Sequence, residues 1–488
     1  MNFGIVRKLV GKIMILMSTM MGLPIIVALC YKEAFINYVA FIIPSIALLV
    51  LGLLLNIGKV NSKLQAREGF VIVALGWLVM SLFGSIPLMI SGYYKNFFDA
   101  FFEISSGFTT TGATITTAEM MDSLLAGGRS ILFWRSFSHW VGGMGVLVFI
   151  LAIIPESNEG SSVHILRAES PGPTVGKLVL KMKASSRILY LIYIALSITE
   201  FLFLLLGPNH EMDVFESLVY TFGTAGTGGF GINSISVELY SAYYQYVIAS
   251  FMVIFGINFT IFYLIIIGKF KDAFKSEEVG WYLVTIFLSV VLISFNIYHI
   301  YQNLEMTIRQ AFFQTASVIS TTGFSTTNFD TWPAFSHGIL IILMLTGACA
   351  GSTGGGMKFS RVIILIKSTI NKIGCMVNPH KVKTVKIDGK PISSDTQSSV
   401  QSFFIVFLLV LTVATLLISL DGYDFTTNFT ASLACISNIG PGLSKVGPYG
   451  NYAIFSNFSK LVLSLEMIAG RLELFPILIL FSPSTYKK

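Results

Sequence analysis

The chain has 488 residues, of which 54% are hydrophobic and only 12% are charged, and its mean hydropathy is +0.76. A typical soluble domain carries about 25% charged residues, so this composition excludes a soluble globular domain and predicts a polytopic membrane protein. The formal net charge is +7, and the four cysteines are isolated, without the spacing of a metal site or a disulfide framework.

Apolar stretches of the length needed to cross a membrane, roughly 17–25 residues, recur along the whole chain. The first follows Arg7, Lys8 and Lys12 as in a signal peptide, but no small-x-small cleavage site follows, so we interpret it as a retained helix. The ten predicted spans are 13–31, 36–57, 69–91, 127–154, 187–206, 241–268, 279–300, 336–370, 400–420 and 458–482.

Four shorter apolar segments, 97–108, 213–224, 308–320 and 426–437, lie between the spans of the last four pairs and are too short to cross. We predict an all-α integral membrane protein in which two N-terminal helices precede four repeats of helix, short helix, loop and helix. The expected units are 1–68, 69–186, 187–276, 277–398 and 399–488.

A motif rich in glycine and hydroxyl groups follows each short segment. Asp-Ala-Phe-Phe-Glu at 99–103 leads to Thr-Thr-Gly at 110–112, and Gln-Ala-Phe-Phe-Gln at 310–314 leads to Thr-Thr-Gly at 321–323. Weaker copies end in Thr-Gly-Gly at 227–229 and Asn-Ile-Gly at 438–440. The motifs are about a hundred residues apart, a period that indicates a duplicated unit.

The motif predicts an ion filter. Irregular backbone at membrane depth is tolerated only where protein buries it or where it lines a watery cavity, and rings of backbone carbonyls replace the hydration shell of K⁺. The alternative is four polar re-entrant turns that only connect helices, against which the shared upstream pattern argues. The predicted ligands, mostly through carbonyl oxygens, are Thr110, Thr111, Gly112, Thr227, Gly228, Gly229, Thr321, Thr322, Gly323, Asn438, Ile439 and Gly440. The second and fourth loops depart from Thr-Thr-Gly, which predicts weaker K⁺/Na⁺ discrimination than a symmetric ring would give.

Residues 346–356 place five glycines inside the predicted span 336–370, and glycine at this density breaks a helix. A phosphate-binding loop is excluded, because Met357 separates the last glycine from Lys358. Two interpretations remain, close helix packing through small residues and a flexible gate. The candidate gate residues are Gly347, Gly351, Gly354, Gly355, Gly356, Lys358 and Arg471.

Of the arginines inside predicted spans, we single out Arg135 and Arg471. A charge at mid-membrane costs roughly 2.5–3.5 kcal/mol or more, so each should face a pore or a partner. We interpret Arg135 as a structural partner of carboxylates or carbonyls of the short helices, with Glu103 one candidate. For Arg471, Glu473 has the wrong helical spacing.

The positive charges predict the topology. If the N-terminus is cytoplasmic, 22 of the 32 Lys and Arg residues fall on the cytoplasmic side, as the positive-inside rule requires. Both termini are then cytoplasmic, and the four loops enter from outside. The links 155–186 and 371–398 are basic; we expect an amphipathic surface helix in the first (Lys177, Lys181, Lys183, Arg187) and an extended stretch at 378–383. Each is either a lipid anchor or a docking surface, and the chain itself contains no recognisable nucleotide-binding fold.

These motifs together resemble the four pore loops of the Trk/Ktr potassium-uptake superfamily. Further agreement comes from Phe-Trp-Arg-Ser at 133–136, Trp-Val-Gly-Gly-Met-Gly at 140–145, Gly-Ser-Thr-Gly-Gly-Gly-Met-Lys at 351–358 and Gly-Arg-Leu-Glu at 470–473. The two spans before the first repeat point to the TrkH branch.

The resemblance implies a potassium-translocating subunit in a bacterial cytoplasmic membrane, neither an enzyme nor a nucleic-acid binder, with K⁺ as its only metal and no cofactor. It also implies an intramembrane loop under the filter with Arg471 opposite it in the pore, a homodimer in membrane lipid, and a cytoplasmic ring of TrkA-type nucleotide-binding subunits. The alternatives are a Na⁺-coupled Ktr-type subunit, against which the first two spans argue, and a membrane enzyme or secondary transporter with a carboxylate or histidine relay, for which acidic residues within spans are scarce.

Overall fold

The computed structural model describes residues 1–58, 66–145, 182–378 and 384–486. Apart from a small antiparallel hairpin, β1 (Lys386–Ile387) with β2 (Lys390–Pro391), its regular structure is helical, which confirms the predicted all-α membrane fold. Among the described residues, six helices are long and apolar enough to cross a membrane, or seven if a bent pair counts as one span. The layout of ten spans stays a prediction.

The N-terminal unit consists of α1 (Phe3–Met20), α2 (Gly22–Tyr31) and α3 (Phe35–Asn56). The first helix begins at Phe3 rather than at residue 13, because the Asn2 side chain caps it by accepting a hydrogen bond from the Gly4 amide. Helices α1 and α3 cross closely where Gly11 meets Gly52: a Cβ atom at Gly52 would lie 2.7 Å from the Gly11 carbonyl oxygen. Small residues at a helix crossing are typical of packing inside membranes.

Each repeat has a first helix, a short helix and a second helix, and the second helix is interrupted in the second, third and fourth repeats. The first repeat comprises α4 (Ala66–Ile90), α5 (Phe97–Phe108), α6 (Ala118–Gly127) and α7 (Arg129–Gly143). The second comprises α8 (Met182–Leu205), α9 (Val214–Gly226), α10 (Ala242–Phe255), α11 (Phe259–Ile266) and α12 (Phe270–Phe274). The third comprises α13 (Glu277–Tyr301), α14 (Leu304–Ile319), α15 (Ala334–Thr346) and α16 (Phe359–Val377), and the fourth α17 (Ser394–Ile418), α18 (Phe425–Ile436), α19 (Asn457–Arg471) and α20 (Phe475–Phe481).

The short helices α5, α9, α14 and α18 start in the same way. Each has an Asn or Asp at its N-cap whose side-chain oxygen accepts a backbone N–H of the first turn: Asn96, Asp213, Asn303 and Asp424. Such caps satisfy amide groups that a helix start leaves unpaired. The last turns are buried, and each helix runs into one of the four glycine motifs.

The repeats are arranged in a cycle. The second helix of each repeat packs against the short helix of the next, in the pairs α7–α9, α10–α14 and α15–α18, and α19 of the fourth repeat packs against α5 of the first. The four short helices are therefore enclosed by second helices from neighbouring repeats, and the four glycine motifs meet at the centre.

Two predicted spans prove to be broken. Instead of one span at 241–268, α10 and α11 meet at 90°, and the Asn258 side chain caps the new helix by accepting from the Thr260 amide. Instead of one span at 458–482, α19 ends at Arg471 and α20 begins at Phe475, with left-handed backbone at Glu473 and Leu474. Hydrophobic periodicity alone does not predict these breaks, because the few residues that form them are apolar or are single polar residues in an apolar stretch.

The link 371–398 begins with the last turns of α16 and ends in the β1–β2 hairpin. The stretch predicted as extended lies outside the described residues from 379 to 383. The surface helix predicted within 155–186 also lies outside them up to residue 181, and α8 begins at Met182.

Candidate functional site

The sign of φ alternates along the backbone of each of the four glycine motifs. The first residue of each has a positive φ, with values of 56° at Thr110, 56° at Thr227, 60° at Thr321 and 53° at Asn438. The glycine two positions later is also left-handed, with φ of 78° at Gly112, 74° at Gly229, 89° at Gly323 and 101° at Gly440. Alternation of this kind turns successive peptide groups to one side, as a ring of carbonyl oxygens around a cation requires.

The motifs close on one another as a ring. A Cβ atom at Gly112 would lie 2.0 Å from the carbonyl oxygen of Gly228, one at Gly229 would lie 2.2 Å from that of Thr322, one at Gly323 would lie 2.0 Å from that of Ile439, and one at Gly440 would lie 2.7 Å from that of Thr111. In every case the glycine of one repeat meets the residue before the glycine of the next, and the fourth returns to the first. No side chain fits at these four positions.

All twelve predicted ligands therefore lie in this ring, which we call the glycine ring (residues 110–112, 227–229, 321–323 and 438–440). A cavity opens on one side of it, and all four glycines line the cavity. The short helices end at the opposite side, so the partial negative charges of their C-termini are directed at the ring and favour a cation there. A ring of carbonyl oxygens at membrane depth is the arrangement that coordinates K⁺ in filters.

The fourth motif departs from Thr-Thr-Gly for a visible reason. The Asn438 amide nitrogen donates to the Thr111 hydroxyl at 2.9 Å and to the Met467 carbonyl at 2.9 Å. A threonine side chain is too short to make both bonds. Asn438 thus joins the last loop to the first and to α19.

The predicted partnership of Glu103 and Arg135 is confirmed. Both side chains are buried, and the Arg135 Nη2 atom lies 2.6 Å from Glu103 Oε1. The other Glu103 oxygen accepts the Ile115 amide at 2.9 Å, and the hydroxyls of Thr114 and Thr116 also donate to the carboxylate. The ion pair therefore fixes the segment that follows the first motif, and this segment lies on the cavity side of the ring.

Below the ring, on the side away from the cavity, the chain between α15 and α16 forms an intramembrane loop (residues 347–358). The Gly355 amide donates to the Thr321 hydroxyl at 2.6 Å. A Cβ atom at Gly354 would lie 2.8 Å from the Ser320 carbonyl oxygen, and one at Gly355 would lie 2.6 Å from that of Ser437. The loop thus contacts the third and fourth motifs directly.

The backbone of this loop needs its glycines. Gly347, Gly351 and Gly356 have φ of 70°, 72° and 75°, and Lys358 has 74°. The Lys358 ammonium donates to the Gly354 carbonyl within the loop, so it ties the loop to itself. The predicted break in the span is confirmed, and it spans all of the glycines named as gate candidates.

Arg471 lies at the end of α19 and donates to backbone oxygens of two other segments. It donates to the Thr353 carbonyl at 2.7 Å, in the intramembrane loop, and to the carbonyls of Gly142 and Gly143 at 2.6 and 2.8 Å, at the end of α7. Glu473, which helical spacing excluded as a partner of Arg471, forms an ion pair with Arg361 in the first turn of α16. Arg471 therefore joins the first and fourth repeats to the loop.

Two residues near this site escaped the sequence analysis. Glu278, at the start of α13, accepts the amide of Ala350, within the intramembrane loop, and that of Ser360, in the first turn of α16 after the loop. His139 is fully buried behind the second motif, where a Cβ atom at Gly228 would lie 2.1 Å from its Nδ1 atom. The signal for Glu278 was available, because two adjacent glutamates open an otherwise apolar span; a lone histidine gave none.

Comparison with known proteins matches this architecture. A family profile described as TrkH, cation transport protein, covers residues 34–487. The chain is 33% identical to the Trk system potassium uptake protein TrkH of Escherichia coli (strain K12), over 100% of both chains. It is 30% identical to the Trk system potassium uptake protein TrkG of the same strain, over 98% of this chain and 97% of that one. The crystal structure of the potassium transporter TrkH from Vibrio parahaemolyticus superimposes with a TM-score of 0.89 at 31% identity, over 100% of both chains.

Proposed function

The chain belongs to the TrkH family of cation transport proteins and takes up potassium as part of a Trk system, and from this premise we propose that the glycine ring is its selectivity filter. Members of this family are ion transporters rather than enzymes, so K⁺ is the transported ion and not a cofactor. The observation that carries the proposal is the close approach of each ring glycine to a carbonyl of the next motif, which closes the four motifs into a ring.

Three features of the geometry support a K⁺ filter here. An ion in the cavity exchanges its water for carbonyl oxygens of four loops, and the C-termini of four short helices offset the cost of dehydration. The contacts at Asn438 and Glu103 fix the loops from both sides, so that the oxygens cannot close around a smaller ion without breaking buried hydrogen bonds.

We also propose that the intramembrane loop and Arg471 are the gate. The loop lies against the ring on the side away from the cavity and contacts two of its four motifs. Arg471 brings a positive charge to the same place, and a cation passing it meets electrostatic repulsion. Opening would require the loop to break its hydrogen bonds with the Thr321 hydroxyl and the Arg471 guanidinium.

The chain is a multi-pass protein of the inner membrane. Its positive charges favour an orientation with both termini in the cytoplasm and the cavity outside. The relatives are named as proteins of a Trk system, which implies partner subunits, and we propose a homodimer in the lipid bilayer that docks a TrkA-type nucleotide-binding ring on the side of the β1–β2 hairpin. The division into units at 68, 186, 276 and 398 remains part of this proposal.

Serine at each ring glycine tests the filter. We expect Gly112→Ser, Gly229→Ser, Gly323→Ser and Gly440→Ser to lower the preference for Rb⁺ over Na⁺ by about tenfold. A change of about 1.4 kcal/mol in the difference between the binding free energies of the two ions gives that factor. The measurement is ⁸⁶Rb⁺ uptake by proteoliposomes in competition with Na⁺. Gly338→Ser in α15 is the matched control, because a Cβ atom there meets nothing within 4 Å. If all four ring variants fold and keep the parent's ion preference, the filter is elsewhere.

A further inference from the structure

We propose that Glu278 is a positioning residue that holds the intramembrane loop in its closed conformation. This inference rests on the proposed gating role of that loop and adds to it the group that restrains the loop. Glu278 is in the first turn of α13, outside the glycine ring, and its side chain is buried.

A single oxygen of Glu278 binds both ends of the loop. Its Oε1 atom accepts the Ala350 amide at 2.7 Å and the Ser360 amide at 3.0 Å. Ala350 is near the start of the loop, and Ser360 is in the first turn of α16, directly after it. Hydrogen bonds to an ionised acceptor are about twice as strong as neutral ones, and both amides are buried. If either end of the loop moves, the buried Glu278 carboxylate loses the hydrogen bond from that end.

The next turn of α13 adds an apolar contact to the same region. The Tyr282 ring packs edge-on against Phe359, with centroids 6.1 Å apart. A Cβ atom at Gly256, in the bend between α10 and α11, would lie 2.3 Å from the Tyr282 hydroxyl. The loop itself binds this bend, since the Cys349 amide donates to the Gly256 carbonyl at 3.1 Å. The start of α13 is thus packed against the loop, α16 and the bend at once.

Glu277 connects this turn to the surface. Its carboxylate forms an ion pair with Lys367 of α16, and its amide donates to Asp388 at 2.7 Å, in the turn of the β1–β2 hairpin. Lys367 also donates to the Lys386 carbonyl of that hairpin at 2.8 Å. Two adjacent glutamates therefore face opposite ways, one to the loop and one to the hairpin, and a rigid helical turn joins them. A partner that displaces the hairpin would move Glu278 as well.

The reactivity of Cys349 reports the state of the loop independently of ion flux. Its thiol lies within the loop and is fully buried, and Cys435, fully buried in α18, provides an internal reference for general loosening. We would measure the rate at which N-ethylmaleimide modifies each cysteine of the full-length protein in proteoliposomes by peptide mass spectrometry, and ⁸⁶Rb⁺ flux in the same vesicles.

We expect Glu278→Ala to accelerate modification of Cys349 by about tenfold or more while Cys435 stays at the parent rate, because hydrogen bonds to a charged group are lost at the loop alone. Glu278→Gln keeps an acceptor oxygen without the charge and should show a smaller increase. Glu277→Ala should also show a smaller increase, since it loosens the turn but leaves the loop bonds. Asp272→Ala, which removes an exposed carboxylate from the neighbouring helix α12, is the matched control and should change neither rate.

Equal acceleration of Cys435, or a Cys349 rate in Glu278→Ala no faster than in the parent, would overturn the proposal. The assignment of the loop as the gate is refuted by a different outcome. If Glu278→Ala exposes Cys349 but leaves ⁸⁶Rb⁺ flux unchanged, Glu278 positions the loop and the loop is not the gate. If instead a loop variant raises flux while Glu278→Ala leaves Cys349 protected, the gate stands and the positioning role is refuted.

Discussion

Arg471 illustrates how this protein places a charge inside a membrane. Its guanidinium donates to three backbone carbonyls, one in the intramembrane loop and two at the end of α7. Carbonyl oxygens replace part of the hydration that a buried cation loses. The arrangement therefore brings a guanidinium beside the proposed pore.

Removal of that charge should raise ion flux. We expect Arg471→Ala to increase ⁸⁶Rb⁺ uptake severalfold in proteoliposomes without any partner, because repulsion is lost and the Thr353 carbonyl is released. Arg471→Lys keeps the charge but has fewer hydrogen-bond donors, so its ⁸⁶Rb⁺ uptake should stay closer to that of the parent protein. Unchanged flux together with a lower melting temperature would show instead that Arg471 serves only to join the repeats.

At the same scale, the sequence predicted the positions of the buried charges better than their partners. Arg135 and Glu103 were paired correctly, because a buried arginine requires an acidic or carbonyl acceptor and Glu103 ends the shared upstream pattern. The pairing of Arg361 with Glu473 could not be predicted, since the two residues are 112 positions apart in the chain and meet only through the break after α19. Helical spacing excludes partners on one helix but says nothing of other helices.

Among the elements, the short helices depend most visibly on local sequence. Asp424 caps α18, accepting the Thr427 amide at 3.0 Å and the Thr427 hydroxyl at 2.5 Å. These hydrogen bonds, the one from the Thr427 side chain first, lower the pKa of the Asp424 carboxyl. The helix that ends at the fourth motif thus begins at an ionised cap.

Loss of this cap should destabilise the fourth repeat. We expect Asp424→Ala to cost about 1 kcal/mol of stability, measured as a lower melting temperature in detergent, and Asp424→Asn to retain most of it, because asparagine also accepts at an N-cap. Since the pKa is lower in the folded state, the ionised form contributes stability above the unfolded pKa, and that contribution is lost as the pH falls through the folded pKa. The difference between parent and Asp424→Asn should accordingly shrink at acidic pH. A difference that does not change with pH would rule out the charged cap.

The second helices show what periodicity does not reveal. The break at Gly347 was predicted because glycines are dense there, whereas the breaks after Phe255 and Arg471 involve only a few residues each. All four second helices end or bend near the level of the glycine ring. One common cause fits them: the space below the ring is filled by polar backbone, and a continuous apolar helix would leave those groups without partners.

For the whole molecule, the fourfold repeat was the strongest prediction available from the sequence, and the closure of the ring followed from it. What the repeat did not reveal is its asymmetry. Among the described residues, only the third repeat inserts a long loop under the ring, and this loop contacts the second and fourth repeats at Gly256, Ser437 and Arg471. A single element that touches several repeats is suited to respond to a change in any of them.

The last prediction concerns this loop as a gate. Replacing Gly354-Gly355-Gly356 with three alanines places a Cβ atom 2.8 Å from the Ser320 carbonyl oxygen and another 2.6 Å from that of Ser437, and it strains the left-handed Gly356. The closed arrangement is thus disfavoured, and we expect higher ⁸⁶Rb⁺ flux without the partner. Deleting the three glycines should have a different effect: it removes the contacts under the ring altogether, so flux should be high and insensitive to the nucleotide-binding partner. A deletion variant that folds, conducts as the parent does and still responds to that partner would show that the gate lies elsewhere in the pore.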